Sequence, residues 1–401
     1  MSPATPDPRS QRVQGLSASV TLAITAKAKE MRAAGEDVIG FGAGEPDFAS
    51  PPHVVEAAQK ACADPTNHRY TPPPGLPALR EAIAERTGVV SGLPCSPGDV
   101  VVTNGAKHAL YAAFQALIDP GDEVLLPAPY WVSYPEQIAL AGGHAVALPT
   151  TADSGWRVSL EQLEAAVTPR TKALCFTSPS NPTGAVYPPE QVAAIGRWAA
   201  ERGLWVVTDE IYEQLVYEPA RHVSMPVAAP EIAERCVVVN SVAKAYAMTG
   251  WRVGWTIAPA ELTQAMSKMQ SHTTSNVANV SQHAAIAALT GPQDIVGDMR
   301  ATYDRRRHLA YERLSAIPGV SCPLPEGAFY TFPSVEGVLG RRYGGREITS
   351  SLELCDHLLE HARVALVPGE GFGSPGSMRL SYALADAEIE RGLDRIADAL
   401  S

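Results

Sequence analysis

Seven short apolar runs, separated by stretches of helical composition, constrain this chain more than any other feature. They are Val100–Thr103, Glu123–Leu126, Ala145–Leu148, Ala173–Thr177, Leu204–Thr208, Cys236–Asn240 and Val253–Ile257. Helical stretches between and after them include His108–Leu117, Pro189–Arg202 and Leu262–Met269. Runs without polar alternation are buried on both faces, and helices between such strands cover those faces. The pattern predicts an α/β fold with a mainly parallel seven-stranded sheet. The tail reads differently. A long helical stretch runs from Asp294 to Ala316, followed by short strands at Phe329–Phe332, Ala365–Val367 and Met378–Ser381. This predicts a smaller α+β domain. Residues 50–300 are then the large domain and 301–401 the small one. Residues 1–49 form an N-terminal arm and part of the small domain, with a helix over Ser19–Ala34 closed by Gly35.

Ligands of open α/β sheets gather at the C-terminal ends of the strands. Four unusual segments sit there: Asn104-Gly105-Ala106-Lys107, Ser178 to Gly184, Asp209-Glu210-Ile211-Tyr212, and Ser241 to Lys244. In the last, Lys244 stands among small and apolar residues, with Arg252 eight positions on. Most lysines simply reach solvent. One held in a dry setting loses hydration, however, and its ammonium form becomes costly. The neutral amine is a nucleophile able to form a Schiff base with an aldehyde. Arg252 is a permanent cation suited to phosphate. Aldehyde and phosphate together suggest pyridoxal phosphate.

The other segments offer matching chemistry. Gly105 and Ala106 open a helix, where exposed N–H groups and the positive dipole end favour phosphate. Asp209, at the mouth of a buried strand, needs a cationic partner, and a protonated pyridine nitrogen is one. Tyr212, three residues on, returns to the same side of a helical turn. Its hydroxyl and the Asn181 amide reach the cofactor's phenolic oxygen. Trp131 offers a flat indole for stacking. Arg379, between apolar strand residues, has a planar fork that matches a carboxylate. Each also has an ordinary structural reading: a βα turn, a helix cap, core packing, an edge-strand arginine. His357 and His361 stand four apart as zinc ligands can, but the HExxH glutamate position holds Leu358, so no metal is expected.

The 401 residues allow two or three domains. With 32 Lys plus Arg against 43 Asp plus Glu, the net charge is −11, which argues against nucleic acid as a partner. No apolar stretch approaches the length of a membrane span. The polar, Pro-rich start lacks a signal-peptide core. Six scattered cysteines without a CxxC pair fit a reducing cytoplasm. No GxGxxG follows the first strand, which disfavours a dinucleotide fold.

Taken together, these segments resemble the class I pyridoxal-phosphate-dependent aminotransferases of PLP fold type I, subgroup Iβ, the bacterial aspartate aminotransferase type. The likeness runs from Gly42-Ala43-Gly44-Glu45-Pro46-Asp47-Phe48 to Arg379-Leu380-Ser381-Tyr382. It includes Tyr70-Thr71-Pro72, Pro129-Tyr130-Trp131, Asn181-Pro182-Thr183-Gly184, Asp209-Glu210-Ile211-Tyr212 and Ala243-Lys244 to Arg252. The resemblance implies transamination between L-aspartate and 2-oxoglutarate, with amino acids and 2-oxo acids as the small-molecule partners. Lys244 would bond to the cofactor and move the proton. Asp209 would hold the ring nitrogen, Tyr212 and Asn181 the phenolic oxygen, and Trp131 the ring face. Ser241, Arg252, Gly105 and Ala106 would hold the phosphate. Arg379 would clamp the substrate α-carboxylate beside Gly44 and Asn181. Tyr70 would cross a homodimer interface to the partner's phosphate. Lys107, with hydroxyls around Ser17 and Ser19, would read an acidic side chain, and Arg12 would contribute if prephenate is accepted. Two departures stand out: Ala243 replaces a serine common before the lysine, and Gln270–Ser281 holds no arginine. Another aminotransferase specificity, aromatic or alanine, or a β-lyase would use the same cofactor residues.

Overall fold

The computed structural model describes residues 8–17 and 20–401; Ser19 lies outside the described residues. After the helix Val20–Ala33, strand β1 (Ile39–Gly40) leads into the large sheet. That sheet contains β2 (Val100–Thr103), β3 (Glu123–Ala128), β4 (His144–Pro149), β5 (Thr171–Thr177), β6 (Trp205–Asp209), β7 (Cys236–Ser241) and β8 (Gly254–Ile257). Their spatial order is β2-β8-β7-β6-β5-β3-β4. All neighbours are parallel except β8, which is antiparallel to both β2 and β7. The result is an α/β fold with a mainly parallel seven-stranded sheet clothed in helices.

The apolar runs lack alternation because each strand feeds two cores. Val100, Val102, Val206 and Val238 face one core. Val101, Val207, Val237 and Val239 face the other, against Ala109, Ala113 and Leu117 of the helix Ala106–Leu117. Successive strand side chains point to opposite faces, so a strand covered on both sides must be apolar throughout. The edge strand β4 escapes this demand: His144, Ala145, Ala147 and Pro149 are exposed.

A further core gathers around Phe329, Tyr330, Leu380 and Ile389, and it takes in Ile39 and Phe41 from the N-terminal segment. There β9 (Tyr330–Thr331) leads to a small hairpin, β10 (Arg342–Tyr343) with β11 (Arg346–Glu347). Next come β12 (Val364–Ala365), β13 (Val367–Pro368) and β14 (Met378–Ser381). The single strand expected over Ala365–Val367 is two. β12 pairs in parallel with β1 and β13 pairs antiparallel with β14, so the chain changes sheets at Leu366. β14 is the middle strand of three, between β13 and β9, so Arg379 is interior rather than at an edge. The helix Asp294–Ser315 joins the halves: Val296 packs in the large core, while Met299, Tyr303 and Leu314 pack in this one. No described helix is long and apolar enough to cross a membrane. All six cysteines are free.

Candidate active site

β5, β6 and β7 end at Thr177, Asp209 and Ser241, and β2 ends at Thr103. Parallel strands end on the same edge, so the loops that follow them converge. They border a cavity of about 400 Å³ that includes Lys107, Trp131, Asn181, Asp209, Lys244 and Arg379. Gly44, Ala106, Tyr212 and Arg252 also line it. Residues more than 300 positions apart in sequence thus share one wall.

Lys244 sits on the loop between β7 and β8 and donates a hydrogen bond to the Gly44 carbonyl. Burial pushes its amine down from 10.5 to about 8, helped by the nearby Arg379 charge. Asp209 is buried. Burial lifts its carboxyl to about 6, opposed by hydrogen bonds from Tyr134 and the Ile211 N–H and by the Lys244 charge. The Tyr134 hydroxyl donates to Asp209 Oδ2 at 2.8 Å.

Tyr212 reaches the cavity from a non-helical turn after β6 rather than from the expected helical turn. The Glu210 N–H bonds to the Val239 carbonyl of β7, which holds the chain near the sheet edge. The Tyr212 hydroxyl lies 2.9 Å from that of Tyr330. Arg379 is 1 % exposed. It donates to Asn181 Oδ1 at 2.9 Å and to the Gly42 carbonyl at 2.7 Å, and its ring-facing side packs on Tyr330 at 4.5 Å. Among the described residues its Nε has no hydrogen-bond partner. A buried guanidinium bound only to neutral acceptors is a poised anion site.

Arg252 is similar. It donates to the carbonyls of Thr249 and Asn104, at 2.9 and 3.3 Å. Gly105, with φ +83°, caps the helix Ala106–Leu117 without a side chain. A Cβ there would stand 2.6 Å from Arg252 Nη2. A Cβ on Gly254 would lie 2.4 Å from the Ala106 nitrogen. Both glycines let a guanidinium and a helix N-terminus meet, which makes a cradle fit for a phosphate. Lys107 lies 4.9 Å over the Trp131 ring, and burial and Arg252 lower its pKa.

Of the described residues proposed from the sequence, Gly105, Ser17, Ser241, Tyr70 and Arg12 do not line the cavity. Ser241 is buried behind it, its hydroxyl oxygen accepting from the Ala243 N–H at 3.0 Å. Tyr70 is 89 % exposed and does not line its own chain's cavity. Arg12 lies on the exposed short helix Gln11–Gln14. Conversely, Tyr134, Thr177, Tyr330, Glu45, Thr21 and Thr25 line the cavity although their sequence context does not mark them. Tyr134 stands three residues after Trp131, just inside the helix Ser133–Leu140 that follows it, which is the single local signal available.

The sequence profile of the family described as "Aminotransferase class I and II" matches residues 36–396. The chain belongs to this family. An aspartate aminotransferase of Streptomyces avermitilis is 56 % identical over the whole chain and 99 % of its own length. The crystal structure of the Rhizobium meliloti aspartate aminotransferase superposes with a TM-score of 0.94 at 41 % identity, covering 98 % of this chain and 99 % of that one. The Thermus thermophilus aspartate aminotransferase with maleate gives 0.91 at 42 % identity, covering 98 % and 100 %.

Proposed function

We propose that this chain is an aspartate aminotransferase, moving the amino group of L-aspartate to 2-oxoglutarate and releasing oxaloacetate and L-glutamate by alternating half-reactions on pyridoxal 5′-phosphate. The observation that carries the reading is one cavity holding a depressed lysine, a buried carboxylate and two guanidinium groups bound only to neutral acceptors. The cofactor, when bound, supplies an electron sink for the substrate carbanion.

The chain's own groups supply the rest. The Gly105–Ala106 helix start and Arg252 would hold the phosphate. Ser241 would support it from behind by fixing the Ala243 backbone. Asp209 would pair as a carboxylate with the ring nitrogen. Trp131 would cover the ring face, while Tyr212 and Asn181 would reach the phenolic oxygen. Arg379 takes the α-carboxylate through its unused edge. Lys244, with a pKa of about 8, is neutral in a useful fraction at physiological pH and accepts the Cα proton through Nζ. Lys107 provides a cation for a side-chain carboxylate, and the maleate bound by the Thermus relative is itself a dicarboxylate. Thr21 Oγ1, buried and without a partner among the described residues, offers a donor on the same wall.

We assign a homodimer, with Tyr70 completing the partner's phosphate site; its near-complete exposure in a single chain supports that role. Six free cysteines accord with a cytoplasmic setting. The test is direct. Purified protein with pyridoxal phosphate, aspartate and 2-oxoglutarate should yield oxaloacetate and glutamate, and Lys244→Ala should abolish turnover. Release of ammonia or of an eliminated group in place of oxaloacetate would overturn the transaminase reading in favour of a lyase.

A further inference from the structure

Asp209 is one end of a three-residue hydrogen-bond chain. Thr177, the last residue of β5, donates its hydroxyl to the Tyr134 oxygen at 2.9 Å. With that oxygen accepting, the Tyr134 proton points to Asp209 Oδ2, 2.8 Å away. Asp209 Oδ1 is held separately by the Ile211 N–H at 3.2 Å. The direction of donation is therefore set from one end. Tyr134 itself is 2 % exposed. It lies at the second position of the helix Ser133–Leu140, and its ring meets the edge of Trp131 at 5.4 Å and 78°.

We propose that Tyr134 is a positioning residue for Asp209: oriented by Thr177, its hydroxyl fixes one carboxylate oxygen so that the charge faces the cavity. The proposal rests on the reading of Asp209 as the partner of the cofactor ring nitrogen. Its physical content is independent of turnover.

The site makes such a device necessary. Asp209 is buried, and burial alone drives a carboxyl toward its neutral form. A neutral carboxyl at this place would no longer favour a protonated ring nitrogen. Five titratable groups couple to the same carboxylate; one is the Tyr212 phenol, which burial raises with Asp209 adding to the rise. Lys244, on the loop after β7, favours its charge, and the neighbouring Glu210 disfavours it. Cys175, on β5, stays a thiol because burial and Asp209 push it up. Tyr134 is the remaining one, and the Tyr134 bond is the largest opponent of burial. The phenol can serve because burial and the adjacent carboxylate hold it well above 10, so it remains a donor throughout. Phenylalanine would keep the ring's shape and its contact with Trp131 while removing the donor.

The test uses Tyr134→Phe and Thr177→Val, in apo and cofactor-loaded protein. The protonated-carboxyl infrared band of the apo protein, assigned by its loss in Asp209→Asn, should titrate near pH 6 in the parent. In Tyr134→Phe the midpoint should rise by about one unit or more, the expected loss of a hydrogen bond to a charged group. Thr177→Val should move it less, in the same direction. Pyridoxal phosphate affinity at pH 7 should fall about tenfold in Tyr134→Phe. An unmoved Asp209 midpoint in Tyr134→Phe would overturn the proposal. If the parent protein fails to bind pyridoxal phosphate at all, the cofactor reading fails instead, and the apo titration still decides the role of Tyr134.

Discussion

Lys244 should be an abnormally reactive amine before any cofactor is present. Burial and the Arg379 charge bring its pKa from 10.5 to about 8. At pH 7.5 about 24 % of the amine is then neutral, against about 0.1 % for an ordinary lysine. The apo protein treated with a small aldehyde and trapped with borohydride should label Lys244 selectively. The labelling rate should rise with a midpoint near pH 8. The same shift has a stability counterpart. Between pH 8 and 10.5 the folded chain binds fewer protons than the unfolded one, so this group's contribution to stability improves as pH rises through that window. Below it the folded state carries a penalty of up to about 3 kcal/mol, taking 1.36 kcal/mol per unit. Lys244→Met should relieve that penalty at pH 7, less the hydrogen bond to the Gly44 carbonyl, and the gain should vanish above pH 10.5. Arg379→Met should move the labelling midpoint upward, since Arg379 makes the largest charge contribution to the shift. A midpoint near 10.5 in the parent, or one indifferent to Arg379, would refute the assignment of a dry, cation-flanked amine.

Other consequences are as concrete. Arg379→Lys loses the planar fork and with it at least one charge-assisted hydrogen bond, so kcat/KM should fall roughly 10- to 150-fold for aspartate and alanine alike. Lys107→Met should instead lower kcat/KM for aspartate and glutamate at least about tenfold relative to alanine, as the loss of a selective carboxylate contact requires; equal losses would remove Lys107 from the specificity site. Gly254→Ala places a Cβ 2.4 Å from the Ala106 nitrogen, so the cradle must shift and pyridoxal phosphate affinity should drop on titration. In the apo protein Asp209, raised from 3.8 to about 6, binds protons more readily when folded, so its contribution to stability is lost as pH rises through that window. Asp209→Asn should flatten the slope between denaturant midpoints measured at pH 4 and pH 7.

The sheet was legible because burial on both faces writes itself into a strand as an unbroken apolar run, as in β7 and β8. The convergence of Lys244, Asp209 and Gly105 followed, since strand ends on one edge must meet. Tyr134, Tyr330 and Thr177 were not legible in the same way. Nothing in their local sequence distinguishes a tyrosine that donates to a buried carboxylate from one that fills a core. Their roles arise from pairings such as Thr177 with Tyr134, 43 residues away. Ser241 sits at a strand end as the site residues do, and its hydroxyl oxygen accepts from the Ala243 N–H of its own loop. The division of Ala365–Val367 was equally hidden: composition records that a segment is extended, not that its two halves belong to different sheets.

The reversed strand β8 has a mechanical consequence. Had it run parallel to β7, the connection between them would have had to travel to the far edge of the sheet and back. Because it runs the other way, the chain leaves β7 at Ser241 and begins β8 at Gly254 on the same edge, and those two residues are paired in register. Lys244 and Arg252 are therefore carried on a closed loop whose two feet are clamped side by side. The separation of amine and guanidinium is set by the sheet, much as the gap of a clasp is set by its frame. A residue inserted between them would have no slack to disappear into, whereas one inserted in the exposed turns beside β4 would leave the clasp untouched.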